Sequence, residues 1–299
     1  MKKAIIVPSL ILVAALACAL PLAPAPPTAL PEPATPTPEV FIARTQAIPS
    51  TVVPDNTPTA PPFEGAEVSF GTLRLVVPPG LASGWRGSEI ARVDGEDAAW
   101  WQKTPGHIQL DLEGYLLQGK AHPPQIYVYP AQAYAELVPA AFESIRRLDN
   151  LLYSPSAAIG LEQLPAAPFF NDRPAFAAHI QKSTFQNGGG VRFITQTGQA
   201  AAPVNNHELF YHFEGVTRDG AYYLVVILPV TAPLLAETSD GGAALPPGGV
   251  PSPDSADPNA DWPGYSSAVA GALNATAPEA FTPALGQLDA LIQSMHIAP

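Results

Sequence analysis

The sequence predicts an α+β fold: an antiparallel sheet of hairpins with helices packed against it, including a C-terminal helix. Three observations carry that expectation. Two β-branched and aromatic segments, 179–197 and 208–229, are each divided by an Asn-Gly or Asp-Gly pair, the dipeptides favoured in tight hairpin turns. Apolar residues recur at helical spacing in 140–152 and again in 285–295. Strands and helices also come in blocks rather than in alternation, the pattern of a segregated α+β arrangement.

The chain opens with Met1-Lys2-Lys3, followed by the apolar run Ala4–Ala17 and a small-residue end, Ala15-Leu16-Ala17. A basic start, a short apolar stretch and small residues describe a secretory signal peptide over 1–17. The run has 14 residues, whereas crossing a bilayer takes about 20. Cys18, the only cysteine, follows directly. Leu16-Ala17-Cys18 resembles a lipobox, although Ala15 stands where leucine is usual. This makes Cys18 the candidate lipid-attachment residue, with a thiol acylated before cleavage. Ordinary cleavage after Ala17, leaving a plain thiol, is the alternative. Acyl chains contribute about 0.8 kcal/mol per buried CH2, so two or three anchor a chain stably.

Residues 18–63 read as a disordered tether. Thirteen of the 45 residues from Ala19 to Phe63 are proline, and proline both fixes φ and removes a backbone donor. At about 3.1 Å per residue such a segment reaches on the order of 100 Å. Residues 64–299 are then one α+β domain. Strands are expected over 67–70 and 72–77, 108–113 and 125–129, with 81–106 a loop holding short pieces of structure. An amphipathic helix over 140–152 buries Ala141, Ile145, Leu148 and Leu152 on one stripe. The first hairpin turns at Asn187-Gly188-Gly189-Gly190 and the second at Arg218-Asp219-Gly220. Tyr222–Leu228 is apolar throughout, as expected of a central strand covered on both faces. Residues 231–263 hold seven prolines and read as a disordered insertion. A helix follows over 265–274. In the last helix Thr282 is the expected cap, Pro283 the first helical residue, and Leu285, Leu288, Ile292 and Met295 the buried stripe.

Composition excludes several classes. Lys and Arg total 14 against 26 Asp and Glu, a net charge of −12. Loss of Lys2 and Lys3 with the signal would make it −14, since −12 − 2 = −14. Nucleic-acid binding needs a basic excess to neutralise phosphates, so no nucleic-acid partner is expected. One cysteine can form neither an internal disulfide framework nor a thiolate zinc cluster.

The strings NGGGVRFIT at 187–195, PVNNHELFYHFEG at 203–215, DGAYYLVVILP at 219–229 and FTPALGQLDALIQSM at 281–295 resemble an uncharacterised family of bacterial cell-envelope lipoproteins. More distantly, the layout is similar to the PsbP-like fold, with its early β segment, meander and terminal helix on the sheet. The first likeness implies an extracytoplasmic address and no chemistry. The second implies an accessory or assembly role, and a fold does not fix a function.

No nucleophile motif is visible: there is no Gly-x-Ser-x-Gly elbow, and no serine has a histidine at a telling spacing. Glu208, His212 and Glu214 share one face of a strand by its period of two. Together they could hold a divalent cation, but a solvated strand face is the favoured reading. Asp111 and Glu113, near Tyr115, form another carboxylate pair at i and i+2, with nothing else to support a glycosidase. The glycine run 188–190 precedes a strand rather than a helix, so turn chemistry is favoured over phosphate binding. Trp85, Trp100, Trp101, Tyr127, Tyr129, Tyr222 and Tyr223 are expected mainly in the core, with a ligand groove as the alternative. The sequence therefore assigns no catalytic residue, no metal and no cofactor. It points to a non-catalytic envelope lipoprotein, held at the cell membrane or outer surface through Cys18, that binds or assembles another envelope component. Small-ligand or solute binding is the alternative, and an extracellular hydrolase a more remote one.

Overall fold

A computed structural model describes residues 63–154, 159–167, 172–240 and 243–299. The expected signal peptide, Cys18 and nearly all of the expected tether lie outside the described residues. Three layers enclose two hydrophobic cores. The central layer is an antiparallel seven-stranded sheet built from β3 (Gly84–Ile90), β4 (His107–Glu113), β5 (Gln125–Pro130), β7 (Ala178–Phe185), β8 (Gly188–Thr195), β10 (Phe210–Thr217) and β11 (Tyr222–Pro229), preceded by the short hairpin β1 (Ala66–Phe70) and β2 (Leu73–Val77). Its strand order is β3-β4-β5-β11-β10-β8-β7. The strands β6 (Arg173–Pro174) and β9 (Thr197–Gly198) pair as a separate ribbon, and β12 (His296–Ile297) joins β2 in a three-stranded sheet with β1.

One face of the large sheet is covered by α1 (Ala131–Leu137) and α2 (Pro139–Tyr153). Ala141, Ile145, Leu148 and Leu151 of α2 bury against Val191, Phe193, Tyr223 and Val225. Leu151, rather than the expected Leu152, completes the stripe. Leu148 is fully buried, and removing such a side chain from water stabilises by about 2 kcal/mol. The opposite face is covered by α3 (Trp262–Ala275), α4 (Leu285–Ser294) and the three-stranded sheet. Alternate residues of each central strand divide between the cores: Phe210 faces α1 and α2, whereas Tyr211 and Phe213 face the other side. β11 is buried along nearly its whole length, as its uninterrupted apolar sequence predicts.

The α+β class and the two hairpins match the expectation, and four details differ. The first hairpin turns at Gln186-Asn187, so Gly188, Gly189 and Gly190 lie inside β8. A Cβ on Gly188 would collide with the Phe185 ring, and one on Gly190 with the Glu214 carbonyl and the Phe213 ring. Crowding, not turn geometry, requires those two glycines. Within 81–106, expected as a loop with only short pieces of structure, Gly84–Ile90 forms the seven-residue edge strand β3. Of the expected insertion over 231–263, the first residues are fastened to the core. Thr231 exchanges backbone hydrogen bonds with Thr282, and Leu234 and Leu235 are buried. Finally, α4 begins at Leu285 with Ala284 as its cap residue. Thr282 lies two residues before that cap position, where its backbone pairs with Thr231.

Candidate functional site

The face of the large sheet beneath α1 and α2 carries a buried polar cluster. Glu214 on β10 is fully buried. Its Oε2 accepts from Ser144 Oγ of α2 at 2.9 Å and from the Tyr223 hydroxyl of β11. Its Oε1 accepts from His212 Nε2 at 2.7 Å and from the backbone N–H of Ala167 at 2.7 Å. Strand periodicity places His212 and Glu214 on one face, register sets Glu214 beside Val225 next to Tyr223, and α2 brings Ser144 over them. An unpaired buried carboxylate is strongly disfavoured; four donors make this one tolerable.

Burial pushes the Glu214 carboxyl upward, but the hydrogen bonds from His212, Tyr223 and Ala167, with the His212 charge, hold it below its ordinary range. Burial, reinforced by the Glu214 charge, raises the Tyr223 phenol well above its usual value. Tyr223 therefore stays a donor and Glu214 an acceptor. It follows that His212 carries a proton on Nε2. Its other ring nitrogen, Nδ1, is buried and has no hydrogen-bond partner among the described residues.

His212 also lines a small cavity of about 30 Å³. The floor is Thr195, Phe210, His212 and Ile227 of three neighbouring strands. Asp172, Pro174 and Thr197 close it from the β6–β9 ribbon, with Ala166 and Ala167 beside them. The His122 ring packs against Phe210 with centroids 4.6 Å apart. Burial, then the charges of His212 and His207, lower His122 to about 4. The arrangement is that of an imidazole oriented by a buried carboxylate through Nε2.

Of the three residues placed together by sequence, the structure unites two. Glu208 precedes β10, and its backbone N–H is bound by Asn205 Oδ1 instead. The shared face is not solvated as expected: it lies buried beneath α2. Ser144 and Tyr223 escape sequence reasoning because α2 and β11 meet Glu214 only through the tertiary fold. Among the described residues, no three His, Cys, Asp or Glu side chains gather as a metal-ligand set.

The other carboxylate pair behaves differently. Asp111 and Glu113 lie 3.4 and 3.5 Å from Arg86 on β3, at the surface. Nearby Tyr115 is buried and donates to the Pro229 carbonyl at 2.9 Å. The aromatics divide. Tyr129 and Tyr223 belong to the core, whereas Trp85 and Trp100 remain 38% and 51% exposed. An open cavity of about 410 Å³ lies near Asn206, Thr231, Leu235 and Glu237. Its buried polar residue, Asn206, already bonds both its side-chain ends to the backbone of Ala232 and Leu235.

No described helix is long and apolar enough to cross a membrane. No family model matches the chain, and no curated protein or solved structure matches it.

Proposed function

We propose that the chain is a non-catalytic envelope lipoprotein, tethered through Cys18, whose folded part binds or helps assemble another envelope component. The observation that carries this reading is the order of its parts. A short secretory apolar run ends at Ala15-Leu16-Ala17-Cys18, and a proline-rich spacer follows. The strands and helices that build both cores all come after it, from Ala66 onward. Such an order suits a domain presented at a distance from a membrane. The non-catalytic part is supported by the use of the buried charges. Glu214 binds α2 to the sheet, and Arg192 of β8 binds α4 to it.

The test uses the full chain in a bacterial host fed an alkyne fatty acid, with a photo-cross-linking residue at the exposed Trp100 position. Acyl label on the wild type, its loss with release of the protein in Cys18→Ala, and a discrete cross-linked adduct in cells are expected. An unlabelled wild type with no adduct overturns the reading.

A further inference from the structure

We propose that Asn187-Gly188 is a site of spontaneous deamidation, kept intact by the docked strand β12 and converted to aspartate and isoaspartate when that strand detaches. It is the one Asn-Gly pair in the sequence, and every other asparagine precedes a residue with a side chain. The reaction needs the backbone nitrogen of the following residue to reach the asparagine Cγ. Glycine, with no Cβ, hinders that approach least. Attack by the Gly188 nitrogen forms a new N–C bond and a cyclic imide. The side-chain nitrogen leaves as ammonia, taking up the proton lost by Gly188. Water then opens either C–N bond of the imide, giving aspartate or isoaspartate, with no oxidant or reductant involved.

Both ends of the Asn187 amide are held by β12. Nδ2 donates to the Ile297 carbonyl at 2.6 Å, and Oδ1 accepts from the Ile297 N–H at 3.0 Å. The side chain thus copies one rung of a β-ladder. Gln186 adds two ties, from its N–H to the Met295 carbonyl and from Nε2 to the Ser294 carbonyl. On its other side β12 pairs with β2, and the Ala298 N–H donates to the Thr72 carbonyl. The Ile297 side chain, 1% exposed, seats the strand in the core. Gly188 is buried between its partners Phe185 and Thr217. An amide fixed at both ends cannot turn its Cγ onto the Gly188 nitrogen, so the docked strand protects the pair. β12 is only two residues long, and such short elements open locally at a lower free energy than the whole fold. The product carboxylate cannot donate to the Ile297 carbonyl, so conversion weakens the clasp that had prevented it. The site does not depend on the membrane anchor.

The test incubates the full chain at mildly alkaline pH and follows conversion at position 187 by peptide mapping and mass spectrometry. Folded wild type should convert more slowly than the chain in concentrated urea. Its rate should nonetheless exceed the urea rate multiplied by the unfolded fraction from a urea titration, because opening is local. Ile297→Ala should raise the folded rate about tenfold by loosening the seat of β12. If that variant does not fold, Gln186→Ala decides: its position is exposed, and loss of one tie should raise the rate about fivefold. Asn187→Asp should speed hydrogen exchange of the Ala298 amide about fivefold, while far-UV circular dichroism stays unchanged. No conversion of folded wild type, a rate equal to that product, an unchanged rate in the deciding variant, or unaltered Ala298 exchange in Asn187→Asp overturns the proposal.

Discussion

Arg192 of β8 and Asp289 of α4 form a two-pronged ion pair, with Nε and Nη2 each 3.1 Å from a carboxylate oxygen. The same guanidinium donates to Gln181 Oε1 and to the His179 carbonyl, at a bulge in β7 where His179 adopts φ +50°. Tyr211 donates its hydroxyl to Asp289 at 2.8 Å. One arginine thus ties an edge strand, an interior strand and the C-terminal helix together. The Arg192 side chain is 5% exposed, so Asp289→Ala strands a buried charge. Loss of about 3 kcal/mol is expected in urea unfolding, at the lower end for a broken buried pair because Asp289 is partly accessible. An effect below about 0.5 kcal/mol would match an ordinary surface site instead.

Glu214 makes the acid limb of stability. Its carboxyl titrates lower when folded than its ordinary value of 4.5. A depressed carboxyl stabilises the fold above the unfolded value, and that stability is lost as the pH falls through the folded one. Wild-type protein should therefore lose stability below about pH 4.5 more steeply than Glu214→Gln, although the variant is less stable at neutral pH. Parallel curves from denaturant titrations at stepped pH would show that Glu214 is not the linked group.

His122 acts at higher pH. Lowered from 6.5 to about 4, it binds a proton less readily folded than unfolded. Stability is then complete above about pH 6.5 and falls as the pH drops toward 4. One shift of this size corresponds to roughly 3 kcal/mol. In His122→Gln most of that slope should disappear, leaving the smaller part due to His107 and His179, which burial lowers in the same sense. An unchanged slope between pH 6.5 and 4 in urea titrations contradicts this.

The three consecutive glycines of β8 separate packing from backbone effects. Gly190→Ala should destabilise by about 1–3 kcal/mol or more, because its methyl is driven into Phe213 and the Glu214 carbonyl. Gly189→Ala meets Leu152 at 3.6 Å and the Ser183 carbonyl at 3.8 Å, both ordinary contacts, and should be neutral or slightly stabilising by restricting the unfolded chain. Equal Tm changes for the two substitutions would contradict the crowding account.

That contrast also shows what could be read from sequence. Hairpins, the amphipathic α2 and the stripe of Leu285, Leu288, Ile292 and Met295 were legible because each expresses a local period. Gly188 and Gly190 misled because glycine signals a turn as readily as a crowded strand, and only Phe185 and Phe213 decide which. Edge strand β3 was hidden because GWRGSEI lacks alternation, as suits a strand with half its residues near solvent. At the site, the period of two placed His212 with Glu214. It could not supply Ser144 or Ala167, 70 and 47 residues away. Nor could it show that α2 turns this face into an interior. Glu208 was wrongly included because only the observed start of β10 at Phe210 excludes it.

The proposed anchor is tested most directly by mass spectrometry of the mature N-terminus of the full chain made in a bacterial host. The expected first residue is Cys18 carrying acyl chains. An unmodified Cys18, or a mature chain that begins elsewhere, contradicts it.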